Sequence, residues 1–180
     1  LTLNLYQEGT STTTSTCELG VLESDQLSTC SYDVVVTSNA TNGYSGYIRQ
    51  AAAMTNSALD TLDAVADNNI TPTATSTEEY GVALATVDTL GGDIGIATEY
   101  DSGGRTCTDT TPTGWMDEAT SALDAFDLTA NDQEFVTYNT SGIDGSNHGV
   151  TTLCHAAAIA GDTEAGVYTQ TVTITVVGNF

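Results

Sequence analysis

The stretch Tyr168-Thr169-Gln170-Thr171-Val172-Thr173-Ile174-Thr175-Val176 fixes the class of fold. Alternate positions place Tyr168, Gln170, Val172, Ile174 and Val176 on one face and Thr169, Thr171, Thr173 and Thr175 on the other. A period of two with β-branched residues on both faces is the pattern of a half-buried strand. Further back along the chain, Tyr32 to Thr37 reads the same way. Asn42-Gly43 then marks a turn or bulge before a further extended segment, Tyr44 to Ile48. Glu79 to Leu84 and Glu134 to Tyr138 are strand candidates as well. Short strands punctuated by Gly, Asn, Asp and Thr predict an all-β fold, an antiparallel β-sandwich of Ig-like or jelly-roll-like type. Two stretches carry helical spacing instead: Thr55 to Asp67, with Asn56 as a cap, and the segment after Pro112 that aligns Trp115, Ala119, Ala122 and Phe126. They predict one or two short helices in connections.

The chain has 180 residues, of which 24 are acidic and two, Arg49 and Arg105, are basic, for a formal net charge of -22. So negative a surface repels phosphate backbones and anionic headgroups, which argues against nucleic-acid partners and charged membrane faces. The absence of lysine excludes Schiff-base chemistry, a P-loop lysine and lysine-based isopeptide links. With 39% apolar residues the length suits a single core. No apolar run approaches the length of a membrane span, so membrane insertion is not expected. The chain opens directly on an alternating segment, and the expectation is an extracellular protein whose secretion signal has been removed.

Four cysteines, Cys17, Cys30, Cys107 and Cys154, allow three pairings, and sequence does not decide among them. The favoured pairing joins Cys17 to Cys30 across one short connection and Cys107 to Cys154 between two late segments. In the chain-entropy model these stabilise by about 3 and about 4 kcal/mol. There is no C-x-x-C spacing, and Cys154-His155 is a lone adjacent pair, so disulfides are preferred to a zinc site. Residues able to do catalysis are few and dispersed. No nucleophile elbow occurs, and the acid pairs Glu78-Glu79 and Asp117-Glu118 read as solvated surface, so the protein is not expected to be an enzyme. No cofactor is expected; calcium is the one candidate, and a solvated turn is the preferred reading. The loop Asn139 to Asn147 offers oxygen ligands but lacks the ordered calcium-loop spacing. N-glycosylation triplets begin at Asn39, Asn69 and Asn139, candidate acceptors that a Thr-rich, Asn-bearing chain also produces by chance.

The N-terminal segment carries the strongest functional signal. Leu1, Leu3 and Leu5 project to one side, and Gly9 to Thr16 is nearly all Ser and Thr. This divides the chain into a donor-type strand (1–8), a flexible linker (9–16) and a sandwich domain (17–180). Such a strand can pair with the sheet edge of the next copy by donor-strand complementation, its three leucines contributing on the order of 5 to 9 kcal/mol before ordering costs. Repeated head to tail, the contact does not close and builds a fibre, a homopolymer. The alternative is that the strand completes its own sheet.

Several segments resemble known exported proteins. Ala165 to Val176 resembles the terminal strand of spore-coat-U-type pilins of archaic chaperone-usher systems and of WxL-like surface domains. Leu19-Gly20-Val21-Leu22, Tyr32 to Thr37, Asn39 to Tyr44 and Glu78 to Val82 look like strands of secreted sandwiches from candidate-phyla-radiation bacteria. The WxL signature itself is absent, and the single Trp115 has Gly114 before it and Met116 after it. The resemblance implies a pilin or surface-filament subunit polymerising through its N-terminal strand in adhesion. The second expectation is a monomeric secreted or cell-surface binding module, an adhesin that recognises a host or surface glycan through exposed Tyr and Trp.

Overall fold

The computed structural model of the protein describes residues 1–24, 26–65, 70, 78–87, 94–96, 131–139 and 149–180. Ten strands run in chain order: β1 (Thr2–Gln7), β2 (Ser28–Thr37), β3 (Tyr44–Gln50), β4 (Met54–Thr55), β5 (Thr61–Ala64), β6 (Glu79–Val87), β7 (Ile94–Ile96), β8 (Gln133–Tyr138), β9 (Gly149–Ala158) and β10 (Val172–Gly178). They form a six-stranded sheet of order β1-β2-β9-β6-β5-β4 and a four-stranded sheet of order β10-β3-β8-β7. All pairings are antiparallel except β5 with β6. The molecule is an all-β sandwich, with no helix among the described residues.

Alternation fills the space between the layers. Tyr32, Val34 and Val36 of β2, Val82 and Leu84 of β6 and Leu153 of β9 meet Tyr44 and Ile48 of β3 and Phe135 and Tyr138 of β8. The outer face of the large sheet is covered too, where Ala83, Cys154, Ala156 and Ala158 pack against Leu27, Val65 and Ile70. β9 is therefore buried on both faces, and its sequence Gly-Val-Thr-Thr-Leu-Cys-His-Ala-Ala-Ala shows no alternation to read. On β8 the pairing shifts between Gly46 and Tyr47, so that Phe135 is the extra residue of a bulge. This lets the adjacent Phe135 and Val136 both be buried.

One expectation is corrected. The spacing over Thr55 to Asp67 suggested a helix, but β4 and β5 form a hairpin there, closed by an Asx turn rather than a helix cap. Asn56 Oδ1 accepts from the amides of Ala58 (2.9 Å) and Asp60 (3.0 Å), and its Nδ2 donates to Asp60 Oδ2 (2.9 Å). Residues 66 and 67 at the end of that stretch lie outside the described residues, as does the whole of the other helical stretch, Trp115 to Phe126.

The N-terminal segment is paired within its own chain. β1 pairs with β2 of its own chain along its whole length, from Thr2 opposite Thr37 to Gln7 opposite Tyr32. The Ser/Thr tract does not lead away from the domain. It turns at Gly9 and runs back along β1, with Gln7 N donating to Thr12 O (2.8 Å) and Thr14 N to Leu5 O (3.0 Å). Asp33 of β2, buried on the outer face, fixes that turn by accepting from Gly9 N (2.8 Å) and from Thr152 Oγ1 (2.7 Å). Hydroxyl and amide groups that read as linker chemistry are used here to close a turn.

Candidate functional site

The site grows from the register of three neighbouring strands. On β9 the inward positions are Leu153, His155 and Ala157. His155 lies opposite Cys30 on β2 and Val82 on β6. The diagonal neighbours on the same face are Tyr32 and Tyr80, within reach of long side chains. Both phenols close on the imidazole: Tyr80 Oη is 2.6 Å from His155 Nδ1, and Tyr32 Oη is 3.0 Å from Nε2. The rings are near-parallel, with centroids 5.3 Å apart for Tyr32 and 6.0 Å for Tyr80.

Burial sets the charge of this triad. It lowers the His155 pKa to about 4. It also raises both phenols above their ordinary value, Tyr80 further through the adjacent Tyr32. All three groups are thus uncharged at neutral pH, and none is poised to exchange a proton there. The arrangement can present hydrogen bonds but is poorly placed for acid-base chemistry.

The triad floors a groove of about 980 Å³ between the two sheets. That is at the upper end of the roughly 300 to 1,000 Å³ of small-molecule sites. Leu3 and Leu5 of β1 form one wall, and Val172 and Ile174 of β10 form the other. The segment 14–22 runs over it, tied to β2 by the Cys17–Cys30 disulfide, whose Cα atoms are 5.6 Å apart. Val21 and Val167 line it while remaining more than 80% exposed, as an apolar lip.

The other residues singled out by sequence are scattered. Leu3 and Leu5 are half-buried in the groove wall, whereas Leu1 precedes the strand and is exposed. The Cys17–Cys30 bridge is present. Cys154 is buried and is not a free thiol, while Cys107 lies outside the described residues. Cys154 and His155 are successive in a strand and face opposite ways, so they cannot share a metal ion. Among the described residues no cluster of three or more metal-ligating side chains occurs. Asn39 and Asn139 are exposed, and Asn69 and most of the loop 139–147 lie outside the described residues. Glu78 accepts from Thr163 Oγ1 (2.8 Å), and Asp117 and Glu118 lie outside the described residues.

The triad was not legible in the sequence as a set. Its one signal was a histidine inside the otherwise apolar run Leu153 to Ala160; the two tyrosines join it only through the pairing register. No family model, characterised protein or solved structure matches the chain.

Proposed function

We propose that the protein is a secreted or cell-surface binding module that accepts a ligand in the groove between its sheets. The observation that carries this reading is the groove itself: apolar walls of Leu3, Leu5, Val172 and Ile174 around a buried polar floor, with further polar side chains such as Thr14, Glu18 and Gln170 along the lining. The Cys17–Cys30 bridge suits an oxidising compartment. Among the described residues no helix is long and apolar enough to cross a membrane. A neutral, mutually bonded triad favours binding over catalysis. The glycan reading is less favoured, because Tyr32, Tyr44, Tyr80 and Tyr138 are buried rather than displayed as a platform, and Trp115 lies outside the described residues.

Filament assembly by strand donation is the second reading. One observation favours it: β1 is an edge strand whose Leu3 and Leu5 are only half-buried. Against it stand the in-chain pairing and the turned-back tract. Size-exclusion chromatography with light scattering and electron microscopy separate the two. Monomers are expected. Fibres would replace the binding-module reading with the filament one.

A further inference from the structure

The groove floor has one proton more than its internal bonds can use. Tyr32, Tyr80 and His155 are each more than nine-tenths buried, and the imidazole is the one hydrogen-bond partner of each phenol among the described residues. A neutral imidazole has one N–H and one bare nitrogen. One phenol donates to the bare nitrogen, and the other accepts from the N–H. The accepting phenol keeps an O–H without an acceptor in the triad, whichever tautomer is present. A buried donor of this kind calls for a partner, and both phenols line the groove.

We propose that the groove binds an uncharged, apolar small molecule carrying a hydrogen-bond acceptor, such as a carbonyl or ether oxygen, which takes the free proton of Tyr32 or Tyr80. This rests on the binding-module reading and supplies its ligand class. Charge disfavours anionic amphiphiles. Glu18 and Glu164 line the groove, whereas Arg49, the one cationic side chain among the described residues, pairs instead with Asp132 at 3.6 Å. A carboxylate-headed lipid would meet like charge and, among the described residues, no cation. Against a sugar stand the walls of Leu3, Leu5, Val172 and Ile174, which cannot pair with its hydroxyls, although Thr14, Ser15, Thr16, Thr169 and Gln170 lie on the same lining.

The test is fluorescence titration of the whole chain with prodan, an uncharged naphthyl ketone. Ethylnaphthalene serves as the hydrocarbon without an acceptor, and anilinonaphthalene sulfonate as the anion. Prodan is expected to bind one to one, at least about tenfold tighter than the sulfonate and about fivefold tighter than the hydrocarbon. The double variant Tyr32→Phe/Tyr80→Phe should remove the preference for the ketone and leave hydrocarbon binding unchanged. Equal binding of ketone and hydrocarbon by the unaltered protein overturns the proposal even if the double variant does not fold. So does binding of the sulfonate as tight as that of prodan. In either case the groove still binds and the binding-module reading stands. If none of the three probes binds, that reading falls as well.

Discussion

Gly43 and Gly46, three residues apart, are constrained in different ways. Gly43 has φ +80°, and a Cβ there would stand 1.7 Å from the carbonyl oxygen of Tyr138. That contact is backbone and cannot rotate away. At Gly46 the nearest atoms are side-chain carbons, Val136 Cγ1 at 2.7 Å and the Phe135 ring at 3.0 Å, which can shift by repacking. Gly43→Ala is therefore expected to cost more than about 2 kcal/mol and Gly46→Ala about 1 to 3 kcal/mol, with Gly43→Ala the worse of the two. Urea midpoints at constant m-value measure the order. At His155 the prediction concerns pH. The imidazole titrates near 6.5 when unfolded and about 4 when folded, so the unfolded chain binds more protons between these values. Its contribution is complete above pH 6.5 and is lost as pH falls toward 4, on the order of 3 kcal/mol in all and about 2 kcal/mol by pH 5. Tyr32 and Tyr80, raised by burial, stay neutral throughout. Urea unfolding at pH 7 and pH 5 should show the decline in the parent protein. The decline should be much smaller in His155→Gln, which retains every other titrating group.

Among the strands, β1 offers the sharpest test of the architecture. Because it pairs with β2 over six residues and walls the groove with Leu3 and Leu5, deleting Leu1 to Gln7 should uncover the β2 edge and weaken the fold. Unfolding at lower urea and aggregation are expected, measured by circular dichroism and light scattering. A truncated chain as stable as the parent would show that the strand adds nothing to its own domain. Legibility in the sequence follows burial. β10 and β2 were revealed by alternation, and β3, β6 and β8 only as short extended runs beside turn residues, β6 being buried on both faces through Val82 and Ala83. β9, central and covered on both sides, gave no period. The β4–β5 hairpin was misread because Leu59, Leu62 and Val65 fall at helical spacing, though the turn at Asn56 leaves Leu59 exposed at φ 73°. The disulfide of Cys17 and Cys30 was legible because both ends lie close in the chain. The triad was not, since Tyr32, Tyr80 and His155 are brought together only by which strands pair and in what register.

Charge is the property of the whole molecule that no strand explains. With a net charge of -22 and one surface ion pair among the described residues, between Arg49 and Asp132, the folded state crowds carboxylates that the unfolded chain spreads apart. Raising salt from about 10 mM to about 150 mM shortens the screening length from roughly 30 Å to about 8 Å, below the dimensions of the domain. The fold should gain on the order of 1 kcal/mol, about 3 °C in Tm for a chain of this size. Screening also lowers the repulsion between copies, so the same titration bears on assembly. A binding module should become more stable at constant particle mass. A filament subunit held apart by charge should grow as salt is added, and faster with a divalent cation. Calorimetry run beside light scattering over this salt range separates stabilisation from polymerisation. A rise in Tm with no rise in mass is the expected result, because β1 is already seated in its own sheet and leaves its neighbours no free strand to receive.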